Sequence, residues 1–160
     1  LFRSDRPRVI AGKLQETVKR IANYAKAHPD QEIGVLVQYN KTRKKYFNRL
    51  ASALKDTGLR VQTYASGCEE HGDASQLTFD KPGVVTVLCF GSSKGLEFDA
   101  VFLPELQTLR MEGVEVDFVR MNLYVMCSRA RNQLWISIDD DTRTHAVWGL
   151  LPSRDLWEEA

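Results

Sequence analysis

VVTVLCFGSSKGLEFDAVFLPEL, residues 84–106, holds two apolar runs separated by a turn of small and charged residues. VVTVLCF (84–90) and DAVFLP (99–104) are continuous rather than alternating in hydrophobicity, the pattern of strands covered on both faces of a sheet. The turn between them carries Lys94, Gly95 and Glu97. A run of small residues that opens a helical turn presents free backbone amides to an anion, and Ser92 and Ser93 add hydroxyls. The plainer alternative is a crossover whose glycines only satisfy backbone geometry.

Outward from this stretch, strands and helices alternate. KLQETVKRIANYAKA (13–27) sets Leu14, Val18, Ile21 and Ala25 at helical spacing, with Pro29 as a stop. IGVLVQY (33–39) predicts a strand, Asn40 a cap, and Phe47, Leu50, Ala51 and Leu54 one face of a helix ending near Gly58. LRVQTY (59–64) predicts the next strand, followed by the polar loop SGCEEHGDAS and a small excursion through QLTF. VDFVRMNLYVMCSRAR (116–131) predicts a helix, NQLWISI (132–138) a last strand, and the remainder a tail with Trp148, Leu150, Leu151 and Trp157. This order implies an α/β fold: a mostly parallel sheet with helices on both faces, as one domain over residues 1–160.

Composition agrees with one globular domain and is silent about partners. The 160 residues are 43% hydrophobic and 27% charged, and 22 basic against 21 acidic residues leave a formal charge of +1, so nucleic acid would have to find a local patch. Cys68, Cys89 and Cys127 are odd in number and two lie in apolar runs, which suits reduced thiols and a cytoplasmic setting. No run approaches the length of a membrane span, LFRSDRPRV is no signal peptide, and a start without methionine suggests a piece of a longer protein.

Several chemistries compete for the polar residues. Neither Gly12-Lys13 nor Lys94-Gly95 fits G-x-x-x-x-G-K-[ST], so the chain has no triphosphate cradle of its own. Counting back from Arg129 along the expected helix gives Val125, Asn122 and Phe118, a half-buried stripe opposite Arg120, Tyr124 and Arg131. A cation favoured by the helix dipole is the alternative, and it suits Arg131 at least as well. Lys41, Arg43, Lys44 and Lys45 crowd the start of a helix, where cations oppose the dipole; they form either a solvated face or a phosphate contact. Cys68 and His71 lack a second ligand pair, so no metal site is expected. Asp139, Asp140 and Asp141 at a strand's carboxyl end admit a minority reading as a magnesium phosphohydrolase, against a solvated turn.

Taken together, SSKGLEFDAVFLP, LYVMCSRARNQLWI and VLVQYNKTRKK resemble the fifth, sixth and fourth motifs of the second RecA-like domain of UvrD/Rep-type superfamily-one DNA helicases, over about residues 33–138. The resemblance implies a RecA-like three-layer domain that acts as the C-terminal motor domain of an ATP-dependent DNA helicase or translocase. It implies that Arg129 touches the γ-phosphate and that Gly95, Glu97 and Gln38 lie near the nucleotide. Phe90, Gly91, Ser92, Ser93 and Lys94 would face single-stranded DNA. Gly91 stands where many members have a histidine, Gln38 where many have an arginine, and Ser128 replaces the threonine of T-R-A. ATP and Mg2+ would be bound mainly by the N-terminal RecA-like domain of the same polypeptide, so this chain alone is expected to be inactive. Only a short loop around residues 65–83 fills the place of the large insertion of many relatives, the compact form of the domain. A non-catalytic binding module that kept the fold is the alternative.

Overall fold

A computed structural model describes residues 5–160. Its strands are β1 (Arg8–Ala11), β2 (Glu32–Val37), β3 (Arg60–Thr63), β4 (Val84–Cys89), β5 (Phe98–Leu103), β6 (Ala130–Ile138) and β7 (Glu158–Glu159). They form one seven-stranded sheet in the order β3-β4-β2-β5-β6-β1-β7, and every pairing is parallel. Helices α1 (Leu14–Ala27), α2 (Asn40–Ala53) and α3 (Val116–Cys127) complete the α/β sandwich.

The pleat sends alternate strand residues to two separate cores. Ile33, Val35 and Val37 of β2, Val85 and Val87 of β4 and Ala100 and Phe102 of β5 pack with α1 and α2. Leu36, Leu88, Val101 and Leu103 pack on the other face with Val119, Leu123 and Met126 of α3. Both layers are therefore needed to cover the runs whose continuous hydrophobicity announced them. Among the glycines, Gly34 is dictated by packing: a Cβ there would lie 2.4 Å from the Phe98 ring.

One connection shapes the functional face. β4 and β5 flank β2, so the chain must pass over β2 and travel back along a six-residue strand, roughly 20 Å. It does so in eight residues, 90–97, with one 3-10 turn at Phe90–Ser93 and no α-helix. Parallel crossovers usually carry a helix. Here the space a helix would fill lies open between the crossover and α3. Gly95, with φ +79°, turns the chain toward β5 in a left-handed conformation that glycine adopts without strain.

The structure departs from the sequence-based expectations in three places. α3 ends at Cys127, so neither Arg129 nor Arg131 is helical; Arg131 already belongs to β6, whose pairing with β5 begins at Phe98–Ala130. The stripe of Phe118, Asn122 and Val125 is exposed rather than half-buried, because Val119, Leu123 and Met126 form the buried side. β1 and β7 extend the sheet where no strand was expected, β7 pairing with β1 from within the tail. The excursion through QLTF (76–79) is entered by a 3-10 turn at Ala74–Gln76, capped by Asp73, whose carboxylate accepts from the Ser75 amide.

The basic cluster on α2 resolves unevenly. Lys41, Lys44 and Lys45 are exposed, but Arg43 is buried. Its Nε donates to Asn40 Oδ1 and its Nη1 to Thr63 Oγ1, both at 2.6 Å, and the Thr63 hydroxyl donates to the Val87 carbonyl at 2.7 Å. Asn40 thus holds Arg43 instead of capping the helix. Arg43, Tyr46 and Leu50 form the buried face of α2, displacing Phe47 and Ala51 to partial burial.

Candidate nucleotide and nucleic-acid cleft

The opening between the crossover and α3 is a cleft of about 370 Å³. Each wall has a distinct origin in the chain. Gln38 enters from the end of β2, because the crossover passes above that strand. Phe90, Gly91, Ser93 and Lys94 come from the crossover itself. The loop before α3 supplies Leu109, Arg110 and Val114, and α3 adds Phe118, Val119, Asn122, Val125 and Met126. Arg129 closes the row from the turn that follows α3.

Six of the nine residues singled out from sequence, Gln38, Phe90, Gly91, Ser93, Lys94 and Arg129, therefore line one cavity. Ser92, Gly95 and Glu97 do not. Ser93 is buried and its hydroxyl donates to the Phe90 carbonyl at 2.8 Å, so it organises the turn from within. The Glu97 carboxylate lies 3.5 Å from Nε of Arg131. Nη1 of that arginine is 3.8 Å from both Glu32 and Asp99, so Arg131 sits among three carboxylates at the amino-terminal edge of the sheet.

The cleft has the opposite electrostatics. Its lining includes the cations Lys94, Arg110 and Arg129 and no carboxylate. None of the ion pairs among the described residues involves these three. Arg129 is fixed through its backbone: its amide donates to Met126 O at 3.2 Å, and its carbonyl accepts from the Phe98 amide at 2.9 Å. Its Nε is buried without a hydrogen-bond partner among the described residues. Leaving a buried donor unpaired is costly, and an acceptor met by a turn of the side chain into the cleft would relieve it. An arginine-lined, acid-free cavity with apolar walls suits phosphate oxyanions and an aromatic base; it does not suit a metal ion. Among the described residues no group of three His, Cys, Asp or Glu side chains is placed to hold one, the Cys68–His71 loop included.

The remaining candidates have structural duties. Asp140 accepts from the Thr142 hydroxyl, the His145 amide and the Trp148 indole, and these hydrogen bonds, that from Thr142 foremost, hold its carboxyl down at about 2. It organises the turn after β6, so Asp140 itself is committed to that turn. Burial pushes the Cys127 thiol up to about 12 and raises that of Cys89, where nearby Arg43 pulls the other way, so neither is poised as a thiolate. Sequence patterns missed Arg110, Asn122 and Phe118 as cleft residues. Phe118 and Asn122 had been singled out only for their helical spacing, and Arg110 carries no motif signal at all.

With this geometry in view, the comparisons with known proteins concern the fold. No family model matches the sequence, and no curated protein matches it. Solved structures do match. The C-terminal domain of a possible DNA helicase from Lactobacillus plantarum WCFS1 superposes with a TM-score of 0.64 at 18% identity, over 98% of this chain and 86% of that one. A hypothetical ATP-dependent RNA helicase from Sulfolobus tokodaii gives 0.65 at 12% identity, over 96% of this chain and 47% of that one. The C-terminal domain of the DEAD-box protein Dbp5 gives 0.63 at 10% identity, over 91% of this chain and 82% of that one. The chain thus has the RecA-like α/β fold found in the C-terminal domains of helicases. Among its described residues, no helix is long and apolar enough to cross a membrane.

Proposed function

We propose that the chain is the C-terminal motor domain of an ATP-dependent DNA helicase or translocase of the compact UvrD/Rep kind. The observation that carries this is Arg129, whose Nε has no partner among the described residues, in an acid-free cleft that also gathers Gln38 and the crossover residues Phe90, Gly91, Ser93 and Lys94. Arg129 and Gln38 would meet the terminal phosphates of ATP held on an N-terminal RecA-like domain of the same polypeptide. Bound Mg2+ would belong to that domain, since the cleft here offers cations and amides but no acids.

The chemistry required of this domain is charge stabilisation. As the terminal phosphoryl group transfers, negative charge spreads over its oxygens, and a guanidinium presented when the two domains close stabilises it. Arg129 is anchored for that task by two backbone hydrogen bonds that tie the end of α3 to the start of β5. Domain closure and reopening would then move a single strand of DNA held along the crossover.

The test is turnover. The 160-residue chain alone should hydrolyse no ATP, and a polypeptide joining it to an upstream domain with G-x-x-x-x-G-K-[ST] should do so with stimulation by single-stranded DNA. Hydrolysis by the isolated chain, co-eluting with it on gel filtration, contradicts the proposal. A parent protein without a phosphate loop turns the assignment to a non-catalytic binding module, for which the neutral Gln38 in the cleft is the favouring observation.

A further inference from the structure

The mouth of the cleft has a second wall that no sequence motif marks. Arg110 stands exposed on the loop before α3, facing the cavity that Lys94 enters from the crossover on the other side. Phe118, on the first turn of α3, lines the same cavity with 54% of its surface exposed, an unusual position for a large apolar ring in water. Phe90 lines the opposite, crossover wall. The two walls therefore present matched equipment: a cation and an aromatic ring each.

We infer that Arg110 and Phe118 form the second wall of a single-strand nucleic-acid track, Arg110 taking a backbone phosphate and Phe118 stacking on a base. The identity of the ligand rests on the motor-domain proposal; the pairing of walls rests on the geometry. Phosphodiester recognition requires cations free of internal partners. Arg110 is in no ion pair among the described residues, although Glu112 and Glu115 are close in sequence, whereas Arg120, on α3, is paired with Asp117 at 3.5 Å. Base stacking requires an exposed ring beside those cations, and it tolerates any sequence because every base has a π-face. Arg129 lines the same cavity, but its Nε is buried, so the strand is assigned to the exposed Arg110 and Phe118 and not to it.

The two residues act through different physics, and that separates them in one titration. Fluorescence anisotropy of a labelled oligodeoxythymidylate of about 12 nucleotides, a length within the range such grooves cover, is measured with the full 160-residue chain over a salt series. Arg110→Ala should weaken binding about fivefold or more and lower the slope of log K against log salt by about 0.7, one single-strand phosphate contact. Phe118→Ala should weaken binding by at least as much with the slope unchanged, since a stacked ring releases no counterion. Lys19→Ala, an exposed cation on α1 across the sheet, should do neither. Both cleft residues are exposed, so thermal melts of the variants should match the wild type and thereby show that the fold is retained.

Equal effects of Arg110→Ala and Lys19→Ala, or unaltered affinity in Phe118→Ala, overturn the inference while leaving the motor proposal standing. So does displacement of the strand by stoichiometric inorganic pyrophosphate, which would assign the rim cations to a nucleotide's phosphates. Absence of any strand binding also overturns it. Conversely, Arg110-dependent binding in a protein that never hydrolyses ATP, even with its upstream domain, supports the track and contradicts the motor.

Discussion

Arg129 and Arg131 are two residues apart and occupy opposite electrostatic worlds. Arg131 projects from the first residues of β6 into a cluster of Glu32, Glu97 and Asp99, three acids around one guanidinium. Arg129 projects into a cleft with two other cations and no acid, its Nε unpaired. The difference arises because α3 ends at Cys127 and a turn intervenes before the strand, so the two side chains leave from different backbone geometries rather than from two sides of one helix. A cation already surrounded by acids contributes to the fold; a cation held without them is available to a ligand. Arg43 adds a third case, buried and hydrogen-bonded only to the neutral oxygens of Asn40 and Thr63.

This comparison makes stability and activity run in opposite orders. The largest loss of stability should follow Arg43→Ala, which removes two charge-assisted hydrogen bonds and the support of Thr63. About 3 kcal/mol is expected, or roughly 6–12 °C in midpoint for a domain of this size. Calorimetry or denaturant melts measure it, and a loss no larger than that of an exposed lysine would break the assignment of Arg43 to the fold.

Arg131→Ala should cost less, about 1 kcal/mol, because its contacts of 3.5–3.8 Å are long and its side chain is 41% exposed to screening solvent. What remains of the effect comes from Glu32, whose side chain is only 9% exposed and would lose its guanidinium. The penalty should shrink as salt is raised. Arg129→Ala should cost no stability and be neutral to stabilising, since among the described residues its side chain has no partner to lose and its buried Nε is unpaired. A larger penalty for Arg129 than for Arg131 would invert the comparison.

A smaller effect depends on pH. The folded state holds the Asp140 carboxyl at about 2, below its ordinary 3.8, so its hydrogen bonds add stability that is fully present above about pH 4 and is lost as pH falls toward 2. Asp140→Asn should therefore melt below the wild type at neutral pH and converge with it near pH 2. A gap between the two that widens on acidification would show that the turn after β6 is organised in another way.

The parts legible in the sequence were those with a period or a local rule. The continuous runs 33–39, 84–90 and 99–104 announced a doubly covered parallel sheet, and the apolar spacing of Leu14, Val18, Ile21 and Ala25 announced α1. Helix and strand ends were less legible: Cys127-Ser128-Arg129 has no glycine or proline to stop a helix, and what stops it is the pairing of Ala130 with Phe98. β1 and β7 were hidden because Arg8–Ala11 and Glu158–Glu159 are too short to show a pattern, and their pairing is a tertiary event. In the site, Lys94 and Arg129 stood in recognisable motifs. Phe118 lies on the helical spacing that leads back from Arg129, whereas Arg110 reaches the cleft through the path of the loop before α3, which no spacing rule encodes. Arg43 was misleading for the same reason: its neighbours Lys41, Lys44 and Lys45 are solvated, and only the position of Thr63 on β3 reveals why it is not.

The central claim is that Arg129 is held in the cleft for the transferring phosphoryl group. It is tested most directly by ATP turnover at saturating single-stranded DNA in a polypeptide joining this domain to an upstream domain that carries G-x-x-x-x-G-K-[ST], comparing Arg129→Ala and Arg129→Lys with Arg131→Ala. The account predicts that both Arg129 variants lose about 10³–10⁵ in turnover, with ATP still binding within roughly tenfold and no rescue by lysine, which lacks the planar fork. Arg131→Ala should retain turnover to within about tenfold once its stability loss is allowed for. Near-normal turnover in Arg129→Ala, with Arg131→Ala inactive, would contradict it.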